Sequence, residues 1–496
     1  MAEEILLAID QGTSSTRAIG FSLTGNVLAT EQQSFEQIYP ADGWVEHDAE
    51  VIWATVLSTS RQALQRLRDN QQHVAAIGIT NQRETTILWD RRSGAPIHNA
   101  IVWQDRRTAD RCRQLARDHG ETDLGRKTGL RLDPYFSATK IAWILDRVPG
   151  ARDAAKAGHI AFGTVDSFLM WRLTGGRLHL TDATNASRTA LYDIGKGRWD
   201  EALCEMFDVP MNCLPEVRDC AGEFGVTDEG VIGSALPIRG VAGDQQAALI
   251  GQACFAVGDV KSTYGTGAFL VLNTGAQLVP SKNRLLSTIA YRLNGAVTYA
   301  LEGSILSAGA AIQWLRDGLG LISRAADVEA LAASSDHNAG VYLVPAFTGL
   351  GAPYWDPDAR AAIIGLTRAS NRGDIARAAL DSVAYQTYDL LDAMAADGER
   401  PATLKVDGGM AQNGLFMQRL ADVLGIPILR PANAESTAFG AACLAGLGCG
   451  LYRSLGEIAD LSRADARFDP RLDPRERDTQ VTGWRQALER VRTTPN

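Results

Sequence analysis

The sequence contains no Gly-x-x-x-x-Gly-Lys-Ser/Thr run, which excludes a P-loop, and neither His-Arg-Asp nor Asp-Phe-Gly, which excludes a protein kinase. Its Gly-x-Gly pairs at Gly265/Gly267 and Gly349/Gly351 lack a third glycine, so a Rossmann reading is weak. No basic patch or polybasic tail is present, and the net charge is −9. That balance argues against broad binding of nucleic acid or anionic membrane. It leaves room for a nucleotide held by local N–H groups and a metal. The seven cysteines are scattered without Cys-x-x-Cys spacing, and the seven histidines show no paired metal-ligand spacing. Free thiols in a reducing cytoplasm are the expectation. No apolar run reaches the length of a membrane span, and no signal peptide is expected. No Pro/Ser linker or low-complexity tract divides the chain. Its 496 residues, 45% hydrophobic and 22% charged, are enough for two large domains or several small ones of a globular protein.

What is present starts with two apolar runs, Ile5 to Ile9 and Ala18 to Leu23, which read as strands. Between them lies Asp10-Gln11-Gly12-Thr13-Ser14-Ser15-Thr16-Arg17. Such a turn can aim backbone N–H groups and the hydroxyls of Thr13, Ser14 and Ser15 at one point, which suits a phosphate. Asp10, at the strand end, suits a Mg²⁺ ion held through water. An ordinary hairpin has a similar composition, so this segment alone leaves both readings open. The plan recurs at Val260–Leu272, where a β-rich run enters Gly265-Thr266-Gly267 and an apolar strand leaves it. Two such hairpins suggest a duplicated domain with nucleotide between the halves, divided near Gln252–Gly258 into residues 1–252 and 253–496. A third glycine-rich element, Asp407-Gly408-Gly409-Met410, ends an apolar strand and opens a helical pattern from Leu415 to Leu424.

Strand-like and helix-like runs alternate throughout, which reads as α/β. Asp48 is the expected N-cap of a helix over Ala49–Asp69. Strands are expected at Ala75–Thr80 and Thr85–Trp89. Further helices are expected at Ala138–Arg147, Val165–Leu173, Ile305–Gly318, Ile375–Ala395, Thr437–Leu447 and Thr479–Thr493. Asp244 stands where an apolar strand meets a helix, placed either to act as a base or metal ligand or to cap the helix. Arg83-Glu84 reads either as a solvated ion pair or as a donor fork beside an acceptor, suited to a polyol. Judged only as aromatics, Trp103 and Tyr135 read as core.

Several segments together carry a resemblance: Asp10-Gln11-Gly12-Thr13, Gly43-Trp44-Val45-Glu46-His47-Asp48, Asn81-Gln82-Arg83-Glu84-Thr85-Thr86, Asp133-Pro134-Tyr135-Phe136-Ser137, Gly243-Asp244-Gln245-Gln246, Thr263-Tyr264-Gly265-Thr266-Gly267 and Phe347-Thr348-Gly349-Leu350-Gly351. The chain resembles glycerol kinases of the FGGY carbohydrate kinase family, in the actin/hexokinase/Hsp70-like ATPase superfamily, over essentially its whole length. The resemblance implies two ribonuclease-H-like α/β domains with a cleft between them, and ATP, glycerol and Mg²⁺ as ligands. It implies that Arg83, Glu84, Tyr135 and Asp244 hydrogen-bond glycerol, with Gln245 beside them, while Trp103 and Phe269 pack on its carbon face. Asp244 would be the base. Asp10 and its Mg²⁺, with Thr13, Ser14, Ser15, Arg17 and Thr266, would surround the phosphoryl groups. Gly309, Gln313, Gly409, Met410 and Asn413 would line the adenosine pocket, although Gly414 replaces a polar residue many relatives carry.

The resemblance also implies a cytoplasmic homo-oligomer, dimer or tetramer, with no nucleic-acid partner. Some relatives take a sugar bisphosphate on a loop that matches Thr227–Pro237. Here that loop holds two acids and no arginine, so insensitivity to such a ligand is expected. Two other classes share parts of this pattern: an ATPase switch without a polyol pocket, and a kinase for a larger polyol.

Overall fold

The computed structural model describes residues 4–335, 340–398, 400–462 and 464–493. Its first sheet is built from β1 (Glu4–Gln11), β2 (Ser15–Ser22), β3 (Val27–Ser34), β4 (His73–Asn81) and β5 (Ile238–Gly243), in the order β5-β4-β1-β2-β3. The first three form an antiparallel meander, and β4 and β5 add in parallel beyond β1. Gln11 pairs with Asn81 and Asn81 with Gly243, so the three parallel strands end on one edge. Ligands of open α/β sheets sit at that carboxyl edge.

The second sheet uses β6 (Val260–Tyr264), β7 (Ala268–Gly275), β8 (Leu286–Leu293), β9 (Ala296–Ile305), β10 (Leu404–Asp407), β11 (Ile428–Pro431) and β12 (Ala464–Phe468), ordered β8-β9-β7-β6-β10-β11-β12. Its centre repeats the first plan. β6, β7 and β9 are antiparallel neighbours, and β10 and β11 add in parallel beyond β6. The echo of hairpins in the sequence is therefore an echo of whole sheets, the duplication expected of a two-domain α/β kinase fold.

Helix α1 (Ala49–Asp69) lies on the first sheet, where Ile52, Val56, Leu64 and Leu67 pack against Ile5, Leu7 and Ile9. Asp48 caps it as expected, accepting from the Glu50 N–H at 2.8 Å. The other helices used below are α2 (Asp244–Gly251), α3 (Gly309–Asp317), α4 (Gly414–Leu424), α5 (Ser436–Gly448) and α6 (Pro474–Glu489). Several expected bounds differ from the structure, two helices most of all. Ile305 is not helical: it closes β9 opposite Ala268, and α3 starts at Gly309. The last helix starts at Pro474, where Asp473 accepts from the Arg475 N–H, and it stops at Glu489. No described helix is long and apolar enough to cross a membrane. All seven cysteines are unbridged.

Helix α5 comes from the second half of the chain but lies against β1, β4, β5 and α2 of the first. Its small residues make that approach possible. A Cβ on Gly440 would stand 1.8 Å from the Ala247 carbonyl oxygen, and one on Gly251 would stand 2.0 Å from that of Ser436. Gly78 faces Ala441 in the same way, at 2.1 Å. Backbone atoms cannot swing aside as side chains do. Gly440→Ala is therefore expected to cost about 1–3 kcal/mol through overpacking, read as a lower midpoint in thermal unfolding. An unchanged midpoint would contradict this close helix pairing.

Candidate active site

The first hairpin turn is tied by the Gly12 N–H donating to Ser15 O at 2.9 Å. Strand alternation sends Thr16 inward to the Thr55 hydroxyl, at 2.8 Å, and Arg17 to the opposite face. There Arg17 Nη2 donates to Asp10 Oδ2 at 2.7 Å, and Nη1 pairs with Glu435 from the second half. Burial raises the Asp10 carboxyl above its ordinary range, while Arg17 opposes the shift. Ser14 is exposed, and the Ser15 hydroxyl accepts from Gln32 at 3.2 Å. Thr13 accepts from Trp103 Nε1 at 3.0 Å, which ties this turn to an aromatic wall. In that wall Trp103 meets Tyr135 and Phe269 edge-on, with ring centroids 5.7 and 5.8 Å apart.

Beside the wall, the chain leaves β4 through Gln82-Arg83-Glu84, and Glu84 holds a positive φ of 60°. Such strain in a non-glycine residue is typical of functional sites. Arg83 and Glu84 are fully buried, which rules out the solvated-pair reading. The fork of Arg83 is directed to Glu302, with Nη1 at 2.6 Å from Oε2 and Nη2 at 3.0 Å from Oε1. Its Nη2 also reaches the Tyr135 hydroxyl at 3.5 Å, and its Nε faces Asp244 Oδ1 at 3.3 Å. Arg83 therefore has its nitrogens largely committed to protein partners, where the sequence suggested a fork open to ligand.

Asp244 is the first residue of α2, and the cap position belongs to Gly243, so the capping reading of Asp244 is corrected. Its Oδ1 accepts from the Gln245 N–H at 2.7 Å, and its side chain is 30% exposed, so it can meet a ligand. Burial among its neighbours raises the carboxyl, against the pull of Arg83 and Lys261. Gln245 is held from the second half: Lys261 Nζ donates to its Oε1 at 2.5 Å and to the Thr263 hydroxyl at 2.9 Å. Burial brings the Lys261 ammonium down to about 8.

On the second half, the turn carrying Thr266 is braced by α3. The Gly309 N–H donates to Gly265 O at 2.9 Å, and the Ala308 and Ala310 N–H groups donate to Thr266 O. Only glycine fits at 309, because a Cβ there would lie 2.6 Å from Gly265 O. Gln313 lies exposed one turn along α3. The loop after β10 crosses the end of β6, where Gly408 packs on Tyr264, while Gly409 is exposed with open space around it and Met410 is half-buried. Asn413 caps α4, accepting from the Phe416 N–H at 2.8 Å, so its oxygen is committed to the helix.

The structure thus joins Thr13, Arg83, Trp103, Tyr135, Asp244 and Phe269 into one contact network, and Asp10 with Arg17 stands next to it. Thr266, Gly309, Gly409 and Met410 gather at the matching edge of the second sheet. Sequence reasoning missed Glu302, Arg188, Lys261 and Glu435. The signal for Glu302 was a lone acid in the apolar run Tyr299-Ala300-Leu301 to Ile305, while Arg188 carried none. The loop Thr227–Pro237 is also less acidic in its setting than its sequence suggests. Arg61 and Arg68 of α1 donate to the carbonyls of Val231 and Gly233, and Arg177 pairs with Asp228.

Residues 5–251 match the model for the N-terminal domain of the FGGY family of carbohydrate kinases, and residues 260–449 match the model for its C-terminal domain. A glycerol kinase of Rhodospirillum centenum is 59% identical over 488 residues, 98% of each chain. Glycerol kinase 1 of Pseudomonas aeruginosa is 58% identical and covers 98% of this chain and 99% of its own. Among solved structures, a Plasmodium falciparum glycerol kinase with ADP matches at a TM-score of 0.93 and 37% identity, over 100% of this chain and 99% of that one. A xylulose kinase of Lactobacillus acidophilus shares the fold at a TM-score of 0.87 and 21% identity, over 98% of this chain and 97% of that one. With both halves matched and the paired sheets in place, the chain belongs to the FGGY family of carbohydrate kinases.

Proposed function

We propose that this chain transfers the γ-phosphoryl group of ATP to a terminal hydroxyl of glycerol, giving ADP and sn-glycerol 3-phosphate. The observation that carries this reading is the place of Asp244. Its partly exposed carboxylate feels the charge of Asp10 and lies 3.3 Å from Arg83 Nε, and Arg83 in turn reaches the hydroxyl of Tyr135 in the wall of Trp103, Tyr135 and Phe269. The aromatic wall offers an apolar face to carbon; Glu84, Tyr135 and Gln245 offer polar groups to hydroxyls, and Arg83, its Nη groups held by Glu302, offers its Nε beside Asp244. Asp244 accepts the proton of the attacking hydroxyl while that oxygen forms its bond to phosphorus and ADP leaves with the electrons of the broken bond. Catalysis of this transfer is mostly positioning and charge neutralisation, which two hairpins rich in N–H groups and hydroxyls are suited to supply.

Among the described residues no cluster of three or more His, Cys, Asp or Glu side chains could cage a metal. A single carboxylate such as Asp10 fits the way Mg²⁺ is held together with water and phosphate oxygens. Bound there, the ion supplies neutralisation of phosphate charge. Thr13, Ser14, Ser15, Arg17 and Thr266 donate to the phosphates. The open space around Gly409 is assigned to adenosine, with Gly309, Gln313, Met410 and the Asn413 amide NH₂ as its lining. The same reading carries a cytoplasmic location and a dimer or tetramer, the latter to be read by sedimentation.

ADP release measured with glycerol, with xylulose and with no acceptor tests the substrate. Turnover is expected with glycerol above both others, and robust turnover with xylulose alone would overturn the assignment. The raised carboxyl of Asp244 sets the pH dependence. A base must be ionised to work, so kcat is expected to fall as pH drops through its pKa. The midpoint should lie above the ordinary aspartate value of about 3.9. A kcat profile without an acid limb above that value would contradict the role.

A further inference from the structure

Glu302 lies in β9 of the second sheet with its side chain wholly buried. It meets Arg83 twice, at 2.6 and 3.0 Å, and its Oε1 also accepts from Arg188 Nη2 at 2.8 Å. Arg188 Nε donates in turn to Glu84 Oε1 at 2.6 Å. One carboxylate from the second half therefore holds Arg83 directly and Glu84 through one guanidinium, and both of those residues belong to the first half. The bidentate grip on the Nη groups also sets the angle at which Arg83 Nε meets Asp244. Burial alone would raise the Glu302 carboxyl, but Arg188 and Arg83 outweigh it and hold it at about 2. A buried ion network of this kind seldom adds stability beyond well-packed apolar side chains, so its use here points to orientation.

We propose that Glu302 is a positioning residue for the acceptor: it fixes Arg83 and, through Arg188, Glu84, so that the polyol pocket is complete only when the second sheet is docked against it. This rests on the polyol kinase reading above. Glu302→Gln keeps the shape and one acceptor oxygen and removes the charge. Its glycerol KM is expected to rise roughly tenfold or more, while the KM for ATP stays within about twofold. Arg188→Lys keeps a charge but cannot bridge Glu302 and Glu84 together, so it should raise the glycerol KM selectively as well. It carries the test if Glu302→Gln does not fold. A parental glycerol KM in either folded variant, or both KM values rising together, overturns the proposal. Each value is taken relative to the unaltered chain with the acceptor that chain turns over best. An unaltered chain that phosphorylates no polyol would instead sink the functional reading, and flat ratios in an active chain sink only the role of Glu302.

Discussion

Asp244→Asn is expected to lower kcat by roughly 10²–10⁴, the usual weight of a general base, while leaving the fold nearly as stable. The structure separates the two effects. Asp244 is the first residue of α2 and not its cap, and its Oδ1 contact with the Gln245 N–H is one an amide oxygen can still make. Arg83 loses a charged neighbour at 3.3 Å but keeps Glu302 at 2.6 Å. The KM for ATP should therefore stay close to the parental value, and the acid limb of the kcat profile should vanish with the carboxyl that produced it. Steady-state kinetics alongside a thermal melt check both halves. A variant with near-parental kcat would reduce Asp244 to a helix-terminal residue.

Arg83→Ala should be the most destabilising of the site substitutions. Judged from sequence, Arg83 is a ligand fork whose loss raises the glycerol KM. In the structure it is a buried cation with Glu302 as its main partner and Glu84 and Asp244 beside it. Removing one member of a buried pair leaves the other charge uncompensated, at a cost of about 3–5 kcal/mol. Arg188 still reaches Glu302 and softens that loss. The unfolding midpoint is expected to fall by several degrees, and the extra stability that glycerol confers should shrink as well. A parental midpoint with only a raised KM would mean that Arg83 faces ligand and solvent more than it faces Glu302.

The elements that were legible in the sequence are those set by local signals. Asp48 capping α1, the two glycine-rich hairpins and the strand before Gly408 all depend on residues a few positions apart. The boundary at Ile305 is not legible because only Leu306, Ser307 and Ala308 separate an apolar strand end from the helix, with no glycine or proline among them. Asn413, a ligand contact by the resemblance, also caps α4 through its oxygen, a role that its place just before a helix signals. The network under the site could not be read. Arg83 and Glu302 are 219 positions apart, and only the docking of the second sheet brings them together. The docking of α5 on the first sheet was hidden for the same reason, although its small residues, Ala438, Gly440, Ala441 and Ala442, are plain in the chain.

The most direct test follows the γ-phosphoryl group itself. With ATP labelled at the γ-phosphorus, Mg²⁺ and glycerol, the label is expected in glycerol phosphate, one equivalent for each ADP released, with little inorganic phosphate in glycerol's absence. Label appearing as inorganic phosphate at the same rate with or without glycerol would identify an ATPase that transfers to water, and would contradict the assignment of the Asp244 site to a polyol.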